Sequence, residues 1–346
     1  MSKTVESPVI LSVEPSFALP GGEILVRGRS LLTSTTEPTQ VYFGDAVCTV
    51  VFASTTQLTV LVPETATGDS LTITTPHGSV SVPFTLGTLL SENLHPVANP
   101  AVDESSNIYV TFSGSRGQTV TTSLFRIDDE STLHPISAEI MKPTGLALDG
   151  TGNLYISSRH DGAVYRLSTS GSLLTYAEGM GVATGLAFDA LGNLYVGDRS
   201  GTIFKIAPDR QIFVFATIEP SVAAYHLAFS PNGNLYVSGP TTSSNDCVYE
   251  IDPHGVVTSF FGNLGRPQGI AFDHTGNLYV AASWHGHRGI IRITPDKQAS
   301  IVISGTNLVG LAFDPNHSLI VATTSSAYFL PWSIPGFILN PTLPET

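Results

Sequence analysis

The sequence predicts an all-β protein in two parts, a small sandwich followed by a ring of six four-stranded units. Three observations predict it. Short apolar or alternating runs end at Gly, Pro or acidic turns along the whole chain. No stretch keeps apolar residues at three- and four-residue spacing over several turns, as a helix would require. Beyond the first ninety or so residues a pair of motifs returns at a period of about 40 residues, and such a period means blades or solenoid turns.

Composition agrees with a folded chain of more than one unit. Of 346 residues, 42% are hydrophobic and only 12% charged, which gives ample core material and little of the charge that marks disorder. The net charge of −13, with 15 Lys and Arg in all, opposes a phosphate-tracking surface, so nucleic acid is excluded as a partner. Cys48 and Cys247 fall in different parts and are read as small buried hydrophobes. No segment approaches the roughly 20 apolar residues that span a bilayer, and the first residues lack a basic stretch followed by an apolar core. The expectation is a soluble protein without membrane insertion, cytoplasmic as written and exported if a leader has been removed.

The first part is read at 1–87. Its runs are Pro8-Val-Ile-Leu-Ser-Val-Glu-Pro15, Gly21-Gly-Glu-Ile-Leu-Val-Arg-Gly28, Val41-Tyr-Phe-Gly44, Gln57-Leu-Thr-Val-Leu-Val-Pro63, Ser70-Leu-Thr-Ile-Thr-Thr and Ser79-Val-Ser-Val-Pro-Phe84. Each is the length of a strand, and together they give the six or seven strands of an immunoglobulin-like sandwich. The opening Pro-x-Ile-x-x-Val-x-Pro, the Gly21-Gly22 turn followed by Ile24, Val26 and Gly28, and the closing Val62-Pro63 resemble an IPT/TIG domain. The resemblance does not choose a function. The DNA-contacting members carry basic loops, and this segment offers only Lys3, Arg27 and Arg29, so a packing or spacer module is expected.

The second part is read at 88–335. The clearest copies run Pro143-Thr-Gly-Leu-Ala-Leu-Asp149 with Gly152-Asn-Leu-Tyr-Ile156, and Ala183-Thr-Gly-Leu-Ala-Phe-Asp189 with Gly192-Asn-Leu-Tyr-Val196. Ala224–Ser230 with Gly233–Val237, Pro267–Asp273 with Gly276–Val280, Leu308–Asp314 with Ser318–Val321, and a degenerate Val97–Asp103 with Ser106–Val110 complete the set. In each, an apolar strand reaches an Asp or Ser, turns over Gly-Asn and returns as Leu-Tyr-Val. The Asp suits an Asx cap on the turn and the Gly suits positive φ. Six copies predict a six-bladed β-propeller with four strands per blade. The last copy lacks a fourth strand of its own, so residues near Thr88 to Leu90 are expected to pair with the blade containing Tyr328 to Pro331. The copies resemble NHL repeats, and are related in fold to the gluconolactonase and lactonase-like propellers. Residues 336–346 are read as a C-terminal tail. The apolar, three-proline stretch Pro331–Pro341 is expected to pack along the propeller wall or the first domain.

Ligands of propellers sit where the innermost strands begin. Two copies break the small-residue pattern there, with Asn99 in the first and His226 in the fourth, and in a ring of six these face each other across the axis. A second constellation is Trp284-His285-Gly286-His287-Arg288, in the loop after the fifth Leu-Tyr-Val, with Arg159-His160-Asp161 and Asp198-Arg199 as counterparts. Imidazoles titrating near neutrality, arginines and an aromatic wall suit anion binding or acid–base work. The candidate ligand- or partner-binding residues are therefore Asn99, His160, Arg199, His226, Trp284, His285 and His287, with none assigned as catalytic or as a metal ligand. The lactonase resemblance implies a Glu at the channel end of the first blade and Asn and Asp ligands for calcium. This chain has Asn99 there, and Gly145, Gly185, Gly269 and Gly310 offer no side chain, so no metal and no cofactor is expected. The functional expectation is a protein-interaction scaffold or accessory subunit whose partner is another protein. The alternative is a lactonase- or lyase-like hydrolytic enzyme acting on a small molecule at the channel mouth.

Overall fold

The computed structural model describes residues 6–32, 38–112, 122–137, 139–243 and 245–343. The chain divides into two compact units. The first takes the chain up to Thr88 together with His285–Ile291 and Ser300–Thr306, and the second holds the remainder from Leu89.

The first unit is built on two four-stranded antiparallel sheets. One orders Val9–Glu14, Glu23–Arg29, Gln57–Leu61 and Thr49–Ala53, and the other orders Ala46–Val47, Gln40–Phe43, Ser70–Thr75 and Gly78–Pro83. Alternation along the strands makes the core. Ile24, Val26, Leu58 and Val60 from the first sheet meet Val41, Phe43, Leu71 and Ile73 from the second, all fully buried. Their neighbours in sequence face out, as a half-buried sheet requires. Phe17–Ala18 is held in parallel between Thr85–Leu86 and Ile303–Ser304. Backbone bonds from Leu19 N–H to Ser304 O (2.8 Å) and from Glu23 N–H to Ser304 Oγ (2.8 Å) fix that segment.

The second unit repeats one antiparallel sheet. The second blade, Pro143–Leu148, Leu154–Ser158, Val164–Leu167 and Leu173–Ala177, shows the plan, and the third, from Ala183–Phe188 to Ile212–Thr217, copies it. The innermost strands of successive copies touch all the way round, from Ala101–Val102 through Leu308–Asp314 and back to Ala101–Val102, so the ring closes. Closure uses the strand expected for it. Thr88–Ser91 lies at the edge of the sheet of Ala327–Pro331, Ser318–Thr323 and Leu308–Asp314, and Leu94 N–H donates to Ser325 O at 2.9 Å.

The repeated motif explains both the turns and the interlocking of blades. Asp149 Oδ1 accepts the backbone N–H groups of Thr151 (2.9 Å) and Asn153 (3.0 Å), while Oδ2 accepts the Asn153 amide (2.8 Å) and the Tyr155 hydroxyl (3.3 Å). Asp103, Asp189 and Asp273 repeat the pattern on the Asn and Tyr of their own copies. The fourth copy has Ser230 instead, and its Asn234 amide and Tyr236 hydroxyl turn to Glu250, at 2.7 and 2.8 Å. Four of the tyrosine rings then meet, edge-on, the Phe near the end of the next innermost strand: Tyr155 with Phe188, Tyr195 with Phe229, Tyr236 with Phe272 and Tyr279 with Phe313, at 4.8–5.3 Å between centroids. Such edge-on pairs add about 0.5–1.5 kcal/mol to the burial of the rings.

No helix of the described residues is long and apolar enough to cross a membrane.

Candidate functional site

The propeller presents two ends of its axis, one crowded by glycines and Asn99 and the other overlaid by the end of the chain. At the end where the innermost strands begin, small residues let the backbones converge. A Cβ on Gly185 would lie 2.4 Å from Tyr225 O, and one on Gly310 would lie 2.4 Å from Ala98 O, so neither position admits a larger residue. Asn99 fills what remains. Its Nδ2 donates to Ile270 O at 3.0 Å and its Oδ1 accepts the Leu311 N–H at 3.2 Å, so its amide ties the first blade to the fifth and sixth.

His226 is placed differently from Asn99. It is 2% exposed, and its Nε2 is buried without a hydrogen-bond partner. Burial pushes its pKa down to about 4 against the small upward pull of a hydrogen bond to the Gln268 side chain. The imidazole is therefore neutral at pH 7, and it lies outside the lining of the central cleft. Asn99 lines the central cleft and His226 does not.

At the other end the chain covers its own channel. The cleft there encloses about 170 Å³ and is walled by the innermost strands, among them Leu148, Phe188, Phe229, Phe272 and Phe313, with Phe337–Asn340 closing it. Phe337 N–H donates to Phe272 O (2.8 Å), His274 N–H to Pro335 O (3.0 Å) and Gly150 N–H to Pro341 O (2.9 Å). The segment thus runs from the fifth blade to the second, across the ring. Leu339 packs on the cluster around Tyr195 and Phe229, and Leu343 on the one around Phe188 and Val196. Of the stretch read as a tail, residues 336–343 are part of the packed propeller, and residues 344–346 lie outside the described residues. Proline removes backbone donors, and Pro335 and Pro341 stiffen this stretch, which suits a strap lying over a face rather than a strand within a sheet.

His160 and Arg199 stand on connections that flank the glycine-lined end of the propeller. The constellation at Trp284 is a hairpin and not a loop: Leu278–Trp284 and His287–Ile293 are joined by His285 and Gly286 alone, with φ of 51° and 86°. Two consecutive residues of positive φ make the tight turn whose twist matches paired strands. The Trp284 ring lies 6.5 Å from that of Phe261. His287, in the first unit, bonds through Nδ1 to Glu23 Oε1 at 2.9 Å, a partner 264 residues away that no local pattern could reveal. His160 is exposed. Arg199 is half-buried and donates from Nη2 to Val222 O at 3.0 Å.

Arg159 is a further residue of this end, beyond the candidate binding residues singled out in the sequence. It stands in the second blade where Arg199 stands in the third, since Arg159 N–H bonds Lys142 O just as Arg199 N–H bonds Val182 O. Burial, and then the charge of Arg199, hold the Arg159 guanidinium below its ordinary pKa range. Among the described residues no group of three or more His, Cys, Asp or Glu is placed to hold a metal ion.

Comparison with known proteins settles the first unit and the fold of the second. The family model for the IPT/TIG domain matches residues 8–90. Residues 8–90 form an IPT/TIG domain. No curated protein sequence matches the chain. Among solved structures, a putative gluconolactonase is 18% identical with a TM-score of 0.60, covering 72% of this chain and 93% of its own. An auxiliary nutrient binding protein from Bacteroides ovatus is 11% identical with a TM-score of 0.56, covering 95% and 99%. Virginiamycin B lyase from Staphylococcus aureus is 13% identical with a TM-score of 0.51, covering 70% and 96%. At such identities the likeness shows the fold alone, and the fold is a β-propeller following the IPT/TIG domain.

Proposed function

We propose that the chain is a protein-interaction module, a scaffold or accessory subunit that binds another protein through the connections at the glycine-lined end of its propeller. The observation that carries this reading is the chemistry of the channel. Around the central cleft the innermost strands present apolar side chains and backbone, and of the two asparagines that line it, Asn99 and Asn340, the first commits its amide to Ile270 and Leu311. Acid–base or nucleophilic chemistry needs a titratable or activated group within reach of a substrate, and the walls of this cleft supply none. Lys142, Arg159, His160 and Arg199 instead stand on the turns outside it. A rigid ring bearing variable turns suits recognition, because ordering costs are already met in folding.

The experiment is capture of a stoichiometric partner by the full chain, repeated with Trp284→Ala and His285→Ala. The reading expects a defined complex that these substitutions weaken. Elemental analysis and chelation test the alternative, a lactonase- or lyase-like hydrolytic enzyme. Bound calcium or zinc, together with a melting temperature that falls on chelation, would favour the enzyme by linkage of metal binding to folding.

A further inference from the structure

The most informative group outside the axis is the pair of arginines on adjacent blades. Arg159 and Arg199 follow the second strands of the second and third blades at equivalent positions, each anchored by its backbone N–H to the residue that precedes the innermost strand of its own blade, Lys142 and Val182. The connections interlock around them. Met180 N–H bonds Gly162 O (3.0 Å), Ile218 N–H bonds Gly201 O (2.8 Å) and Ser221 N–H bonds Arg199 O (3.0 Å), so both arginine backbones are held by turns that are themselves held.

Their side chains are not treated alike. Arg199 rests on the carbonyls of Val222 (3.0 Å) and Ser221 (3.5 Å), which leaves part of its fork unused. The Arg159 guanidinium is half-buried and donates to no group among the described residues. Neither arginine forms an ion pair there, although the chain carries 28 acidic residues against 15 basic ones. The adjacent carboxylates are engaged elsewhere. Asp161 accepts the Tyr165 hydroxyl (2.5 Å) and the Ala163 N–H (3.2 Å), and Asp198 accepts the Val182 N–H (2.8 Å) and the Ser200 hydroxyl. The two arginines stand at equivalent positions of adjacent blades, and Arg159, half-buried and unpaired, costs stability unless an anion joins it.

We propose that Arg159 and Arg199 form a binding site for a carboxylate-bearing ligand. The planar fork of a guanidinium matches the two oxygens of a carboxylate, and two forks on neighbouring turns favour a ligand with two such groups. The carboxylates come either from a small dicarboxylic acid or from Asp and Glu side chains of a partner protein. The second source rests on the interaction-module reading; the site itself does not.

The test is a melting-temperature titration of the full chain with succinate, with chloride at matched ionic strength as the control, and in parallel with a Glu-rich peptide. The proposal expects a saturable rise that chloride does not reproduce, because a ligand that binds only the folded state stabilises by mass action. R159Q and R199Q should each move the midpoint at least tenfold to higher concentration. R159K, which keeps charge and folding but loses the fork, should move it severalfold. K297Q, remote from the pair, should leave it unchanged. A peptide midpoint well below that of succinate assigns the ligand to a partner's side chains, and equal midpoints assign it to a small acid. A chloride curve that overlays the succinate curve would overturn the proposal, as would unchanged midpoints in R159Q and R159K. Saturable succinate binding without any partner captured would leave the site standing and remove only the protein as its source.

Discussion

Replacing Asp273 by Ala probes the device that Asp103, Asp149, Asp189 and Asp273 share. Asp273 is fully buried and accepts five donors: the Thr275 N–H (2.9 Å) and hydroxyl (2.7 Å), the Asn277 N–H (2.9 Å) and amide (2.8 Å), and the Tyr279 hydroxyl (3.1 Å). Thr275 is exposed, so water replaces the lost acceptor there at little cost. Tyr279 is fully buried, and its orphaned hydroxyl costs about 1–3 kcal/mol, with a further loss of about 1.5–3 kcal/mol for the charge-assisted bonds to Asn277. These terms overlap, and about 3 kcal/mol is expected. Ser230→Ala is the internal control, because Asn234 and Tyr236 of that copy rely on Glu250, and about 1 kcal/mol is expected there. Burial pushes the Asp273 pKa up, but the bonds from Asn277 and Thr275 outweigh it and the net shift is down. A carboxylate depressed in the folded state contributes stability that is present above its unfolded pKa near 4 and is lost as pH falls through the folded value. The difference between wild type and D273A should therefore shrink on acidification below pH 4. Denaturant unfolding followed by tryptophan fluorescence measures both variants. Equal costs for D273A and S230A, or a D273A cost below about 1 kcal/mol, would refute the reasoning.

The buried His226 should make the protein less stable as pH falls from about 6.5 towards 4, because the unfolded chain takes a proton that the folded one, with its pKa near 4, refuses; H226Q should flatten that limb, as read by melting temperature against pH. Truncation after Ile334 removes the bonds of Phe337 to Phe272 and of Gly150 to Pro341 with the packing of Leu339 and Leu343, so a loss of about 3–5 kcal/mol and dye binding at the uncovered cleft are expected. Asn99→Leu leaves Ile270 O and Leu311 N–H unsatisfied, and differential scanning calorimetry should show a loss of about 2–4 kcal/mol. Glu23→Gln should change stability by less than about 1 kcal/mol, since the pair with His287 is exposed to water.

The blades were legible because each depends on residues close in sequence. The Asp, the Gly-Asn turn and the tyrosine of one copy bond to one another within seven residues, so the motif carries its own explanation. The interlock of Tyr155 with Phe188 joins neighbouring copies at a fixed offset, and a repeat shows such an offset plainly. The strand that closes the ring was legible by counting, since the sixth copy lacked a fourth member. The strap was not. Apolar residues and prolines in Pro331–Pro341 announce burial, but nothing in them names Phe272 or Gly150 as the partners. The site residues were legible in kind and less so in place. A polar residue at a small-residue position marks Asn99 and His226 equally, yet Asn99 reaches two neighbouring blades while His226 is shut off from water. His287 found Glu23, far away in sequence, and Arg159 gained its interest only when Arg199 was seen beside it.

We propose that recognition takes place on the turns around Arg159 and Arg199, outside a channel walled by apolar side chains and backbone. Hydrogen exchange on the full chain, with and without its captured partner, tests this most directly. The account predicts slowed exchange at Arg159–Gly162, Asp198–Gly201 and Trp284, with no change along the strap at Pro335–Leu343. Protection confined to the strap and the cleft beneath it, accompanied by metal-dependent turnover of a lactone, would contradict it.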